Sequence, residues 1–135
     1  MAIDRLDHFS IRTTKMQETR DFFVDVLGLE DGKRPAFDFP GHWLYCGERA
    51  VIHLIGHDPD NKALAHAVGE KSAEELVGSG SVDHVAFTIS DAAGMAERFK
   101  KLNIPFKERD IADMNLKQIF VDDPNGVTIE LNCFT

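Results

Sequence analysis

The chain has 135 residues, 43% of them hydrophobic and 28% charged, and a formal net charge of −8. That length suits one compact domain or two small modules, and the acidity excludes a nucleic-acid partner and disfavours an anionic membrane surface, since both need a basic face. No apolar run reaches the ~20 residues of a membrane span. The start Met1-Ala2-Ile3-Asp4-Arg5 lacks the plan of a signal peptide, and Cys46 and Cys133 are too few for a disulfide framework, so a cytoplasmic protein with reduced thiols is expected.

In chain order, Asp7-His8-Phe9-Ser10-Ile11 alternates as a strand does. Met16, Thr19, Phe22, Phe23, Val26 and Leu27 then recur at helical steps, with Gly28 placed to end the helix. Strand-like pieces follow around Glu30 to Lys33, His42 to Cys46 and Val51 to Gly56. Residues 57 to 81 are rich in Asp, Asn, Lys, Glu, Gly and Ser and read as a linker or flap, with one or two helical turns within Asn61 to Val77. The pattern then starts again. Asp83-His84-Val85-Ala86-Phe87 echoes the opening strand, and Ala92, Met95, Ala96, Phe99 and Leu102 form a second helical stripe ended by Asn103. Phe106 to Arg109, Leu116 to Val121 and Val127 to Asn132 complete the set, the last preceded by the turn signal Asp123-Pro124-Asn125-Gly126. The expected architecture is α+β: a first βαβββ module over 1–56, a linker over 57–81 and a second module over 82–135. Together they form one compact domain with a curved, partly closed mixed sheet around a metal-binding cleft.

Strand parity separates an apolar face from a polar one. Phe9 and Ile11 oppose His8, Ser10 and Arg12; Ile52 and Leu54 oppose His53; Val85 and Phe87 oppose His84 and Thr88; Ile129 and Leu131 oppose Glu130. His53 follows His8 by 45 residues and Glu130 follows His84 by 46, so each half supplies one ligand-type residue from its first strand and one from its fourth. Three imidazoles and a carboxylate suit one divalent first-row ion such as Zn, Ni, Fe, Mn or Co, and an ion would offset the cost of an inward Glu130. Taken singly, each histidine is more simply a packed residue, and Glu130 a partner for Arg12. The duplication favours the metal.

At these residues the chain resembles the vicinal oxygen chelate superfamily, which includes glyoxalase I, methylmalonyl-CoA epimerase, fosfomycin-resistance proteins, extradiol dioxygenases and bleomycin-resistance proteins. The resemblance rests on Leu6 to Ile11, Thr19 to Leu29, Val82 to Phe87, and Phe120 to Leu131 with its D-P-x-G-x-x-x-E run. It implies that His8, His84 and Glu130 are metal ligands, with His53 at a fourth position that is Glu or Gln in glyoxalase I and the epimerase. It also implies a small-molecule substrate and a homodimer.

The stretch Trp43 to Val51 resembles a segment of extradiol dioxygenases, yet Val51, Phe120 and roughly Ile111 stand where those enzymes carry a histidine, a tyrosine and a histidine. Val, Phe and Ile move no protons; His42, His57 or Tyr45 would have to substitute. A lyase or isomerase acting on vicinal oxygens is therefore favoured, with Glu130 and His53 as proton-moving groups. Ser10, Arg12, Trp43, Tyr45, Thr88, Asn115, Gln118 and Phe120 are the expected substrate-binding residues. The alternatives are an Fe(II) dioxygenase acting on a catechol and a non-catalytic ligand-binding protein of the bleomycin-resistance kind.

Overall fold

A computed structural model describes residues 1–135, which divide into two compact units, Met1–Leu76 and Val77–Thr135. In the first, strand β1 (Phe9–Thr13) leads to helix α1 (Met16–Asp21), then β2 (Glu30–Gly32), β3 (Gly41–Cys46), β4 (Arg49–Gly56) and α2 (Lys62–Val68). The second runs β5 (Val85–Thr88), α3 (Ala92–Lys101), β6 (Lys107–Ile111), β7 (Leu116–Asp122) and β8 (Thr128–Phe134). The eight strands are shared between two four-stranded sheets, one per module, neither closed into a barrel. Their orders, β1-β4-β3-β2 and β5-β8-β7-β6, are the same path drawn twice. In each, first and fourth strands pair in parallel and the others antiparallel.

Each sheet buries the apolar face that strand parity marks and covers it with its own helix. In the first unit Ile11, Leu44, Ile52 and Leu54 are buried with Phe22 and Phe23. Helix α1 does not run on regularly: Phe22–Val26 is a π-turn in which the Leu27 N–H donates to the Phe22 carbonyl at 3.1 Å. That extra residue lets the adjacent Phe22 and Phe23 both point inward, edge to face with ring centres 5.2 Å apart. Gly28, at φ +85°, ends the helical run as its position in the sequence predicts. In the second unit Phe99, Ala92 and Ala96 of α3 are buried with Ile119, Val121, Ile129 and Leu131, and Asn103 adopts the left-handed conformation at the helix end, φ 56°.

The segment 57–81, read as a linker or flap with helical turns, falls in both units. It holds α2, capped by the Asn61 side chain accepting from the Leu64 N–H, and a short 3₁₀ turn at Ala73–Glu75. No helix is long and apolar enough to cross a membrane.

Candidate metal centre

His8 stands one residue before β1 and His84 one residue before β5, so the repeat puts both imidazoles at equivalent strand entrances. Each is preceded by an aspartate that takes its Nδ1. Asp7 Oδ2 lies 2.6 Å from His8 Nδ1, and Asp83 Oδ2 lies 2.8 Å from His84 Nδ1. A carboxylate only accepts, so Nδ1 carries the proton and Nε2 is the nitrogen left for a ligand or a metal. The hydrogen bond to Asp83 raises the His84 pKa, with Glu130 adding a smaller push in the same direction. The matching bond to His8 lowers that of Asp7.

In the second unit β5 and β8 run in parallel with Ala86 opposite Glu130, and β7 sets Phe120 opposite Glu130 from the other side. Glu130 is nearly buried, its side chain 12% exposed, and its Oε1 lies 3.5 Å from His84 Nε2. Two donors each about 2.1 Å from one ion at the tetrahedral angle stand about 3.4 Å apart, so this gap fits a shared ion. Glu130 Oε2 accepts from Asn132 Nδ2 at 2.9 Å, and in the first unit Arg12 Nη2 donates to the Gly69 carbonyl at 2.9 Å.

In the first unit the register Trp43, His53, Ser10 crosses β3, β4 and β1 on one face. His53 is sandwiched there. Its ring stacks on Trp43 with centres 4.0 Å apart and on His8 with centres 3.6 Å apart. Burial lowers its pKa, helped by neighbouring His8, which keeps the ring neutral near pH 7. Two imidazoles bound to one ion at the tetrahedral angle hold their centres about 5.3 Å apart, so joint ligation by His8 and His53 requires the stack to open by about 1.7 Å. His8 and His53 therefore meet, as do His84 and Glu130, while no three His, Cys, Asp or Glu side chains cluster as a metal site.

The expected substrate-binding residues fall in different places. Ser10, Trp43, Thr88, Gln118 and Phe120 share strand faces with the candidate ligands. Tyr45 lies over Gly32, where an added Cβ would come within 2.7 Å of its ring, and its hydroxyl donates to the Lys33 carbonyl. Asn115 occupies a left-handed turn at φ 47° and accepts from Thr135 through its carbonyl, about 17 Å along β7 from Phe120. His42 pairs with Leu54 on the helix-covered face and bonds Asp31, which also binds Arg20, so it does not share a face with His53. His57 buries an Nδ1 that has no partner.

Sequence reasoning missed Asp7, Asp83 and Asn132. The repeated D-H dipeptide was the signal for the first two, and parity with Glu130 for the third.

A family model described as the Glyoxalase/Bleomycin resistance protein/Dioxygenase superfamily matches residues 5–131. The chain belongs to that superfamily. Among curated relatives it is 24% identical to a glyoxylase I of Arabidopsis thaliana over 98% of this chain and 73% of that protein. It is likewise 24% identical to a lactoylglutathione lyase of Pseudomonas putida over 93% of this chain and 82% of that one. Among solved structures, a glyoxalase family protein of Bacillus anthracis superposes with a TM-score of 0.72 at 21% identity, covering 100% of this chain and 98% of that one. A variant of the fosfomycin resistance protein FosX from Listeria monocytogenes, complexed with Mn(II) and 1S,2S-dihydroxypropylphosphonic acid, superposes with a TM-score of 0.71 at 17% identity, covering 99% and 95%. For this superfamily member the structural likenesses establish the fold.

Proposed function

We propose that this superfamily member is a metal-dependent lyase or isomerase of the glyoxalase and epimerase kind, acting on a small substrate with vicinal oxygens. The observation that carries the reading is the pair His84 and Glu130: an Nε2 freed by Asp83 faces a carboxylate oxygen across 3.5 Å. The proposed ligand set is His8, His53, His84 and Glu130 for one divalent ion, Zn, Ni, Fe, Mn or Co. The names of the curated relatives and the Mn(II) in the FosX structure support it.

When bound, the ion supplies Lewis-acid polarisation of neighbouring substrate oxygens. The chain's own residues do the rest. Asp7 and Asp83 hold their imidazoles in one tautomer. Glu130 is the group proposed to move the proton, with neutral His53, fixed between Trp43 and His8, as the alternative base when it is not coordinated. Trp43 supplies an apolar wall. Opposite Glu130 stands Phe120, which transfers no proton, and this favours isomerase or lyase chemistry over catechol cleavage. A cytoplasmic homodimer completes the proposal.

The test is solvent exchange. With Ni(II), Zn(II) or Co(II), α-hydroxy thioesters or the hemithioacetals of α-oxo aldehydes in D2O should gain deuterium at the C–H beside the carbonyl, followed by NMR, and His53→Ala should slow this about 100-fold or more. Oxygen uptake with a catechol under Fe(II) would replace this reading with the dioxygenase. Tight ligand binding without exchange or oxygen uptake would replace it with the non-catalytic binder.

A further inference from the structure

We propose that Gln118 and Asn132 form a directed hydrogen-bond relay that holds one oxygen of Glu130 and turns the other toward His84. Both are then positioning residues for the ion site, an inference that rests on Glu130 being a metal ligand. Parity and register place the three together. Glu130 and Asn132 are two residues apart on β8, and Gln118 stands opposite Asn132 on β7. Asn132 Nδ2 donates to Glu130 Oε2 at 2.9 Å, and Gln118 Nε2 donates to Asn132 Oδ1 at 3.1 Å.

The direction of the relay follows from its end. A carboxylate accepts only, so Asn132 must turn its NH2 to Glu130 and its carbonyl to Gln118. Gln118 must in turn present its NH2. Its own carbonyl oxygen is then left over, and the structure shows that: Gln118 is buried at 7% exposure, and its Oε1 has no partner. A buried acceptor without a donor is costly, and a side chain that only filled space would have no reason to carry one. The orphaned oxygen is the consequence of pointing the chain of amides at a charge. Because Asn132 occupies Oε2, Oε1 is the oxygen left facing His84 Nε2. Gln118, expected from the sequence to touch substrate, is reassigned by this reading to hold Glu130 through Asn132.

Gln118→Met separates this role from packing. Methionine nearly matches glutamine in size, removes the donor that anchors Asn132, and removes the unsatisfied oxygen as well. Co(II) and Zn(II) affinities of the purified full chain are measured by chelator competition, beside the melting temperature of the metal-free protein. Gln118→Met should bind the ions about 10- to 100-fold more weakly while melting at the same temperature or higher. Asn132→Leu should match that loss, and Asn132→Ser, which keeps a donor, should lose less. Wild-type affinity in a folded Gln118→Met, or a loss that only tracks a lowered melting temperature, would overturn the relay. If His84→Ala abolishes ion binding while both relay variants retain it, the relay alone falls. If the wild type takes up no ion, the metal reading falls and the relay with it.

Discussion

His53 is the residue whose role the structure sharpens most. Strand parity set it opposite Ile52 and Leu54, and its ring proves to be the middle of a three-ring stack with Trp43 and His8. Such a stack leaves it neutral and fixed, as a base requires, and must open by about 1.7 Å for it to ligate beside His8. Trp43 is the sole tryptophan, so its emission reports directly on this ring. If His53 is a ligand, titration with Co(II) or Zn(II) should change Trp43 fluorescence saturably, and the change should vanish in His53→Ala. Stoichiometric ion binding with unchanged emission would remove His53 from the ligand set and leave it the role of base. His8, His84 and Glu130 were candidate ligands on duplicated spacing, parity and resemblance, and of these the structure brings His84 and Glu130 within 3.5 Å. Asn132, which bonds Glu130, was not a candidate, because an amide carries no ligand signature of its own and matters only through the carboxylate beside it.

At the scale of elements, the turn before β8 explains why a four-residue run can mark a family. Asp123, buried at 4% exposure, accepts from the Asn125 N–H at 2.9 Å, the Val127 N–H at 2.8 Å and the Asn125 side-chain amide at 2.9 Å. Gly126 supplies the positive φ, +86°, that the turn needs. The turn thereby sets the register that brings Glu130 opposite Phe120 and Ala86. Asp123→Ala strands three donors and should cost about 3 kcal/mol by urea denaturation. A cost within about 0.5 kcal/mol, typical of an indifferent surface change, would show that the strand pair holds its register without the turn. Strands and helix ends could be read within a residue or two from alternation and from Gly28 and Asn103. The π-turn at Phe22–Val26 could not, since paired phenylalanines fit a regular helix pattern equally well. Within 57–81 the expected helical turns are α2 and the 3₁₀ turn, and α2 is anchored by its one buried residue, Leu64.

At the scale of the whole molecule, two units carry the same strand order, the same Asp–His entrance and a ligand-type residue on the fourth strand. The acidic balance of the chain disfavours a phosphate-backbone partner. What composition and periodicity do not encode is the reaction, which depends on proton-moving groups a few ångströms from substrate. Everything proposed for the site depends on the ion itself. Its most direct test is metal analysis of the purified chain by mass spectrometry, for the wild type and for His84→Ala checked as folded by circular dichroism. About one first-row divalent ion per chain in the wild type, lost in the variant, is the expected result. A wild-type protein that retains no stoichiometric ion after supplementation, or a His84→Ala variant that keeps its ion, would contradict the account.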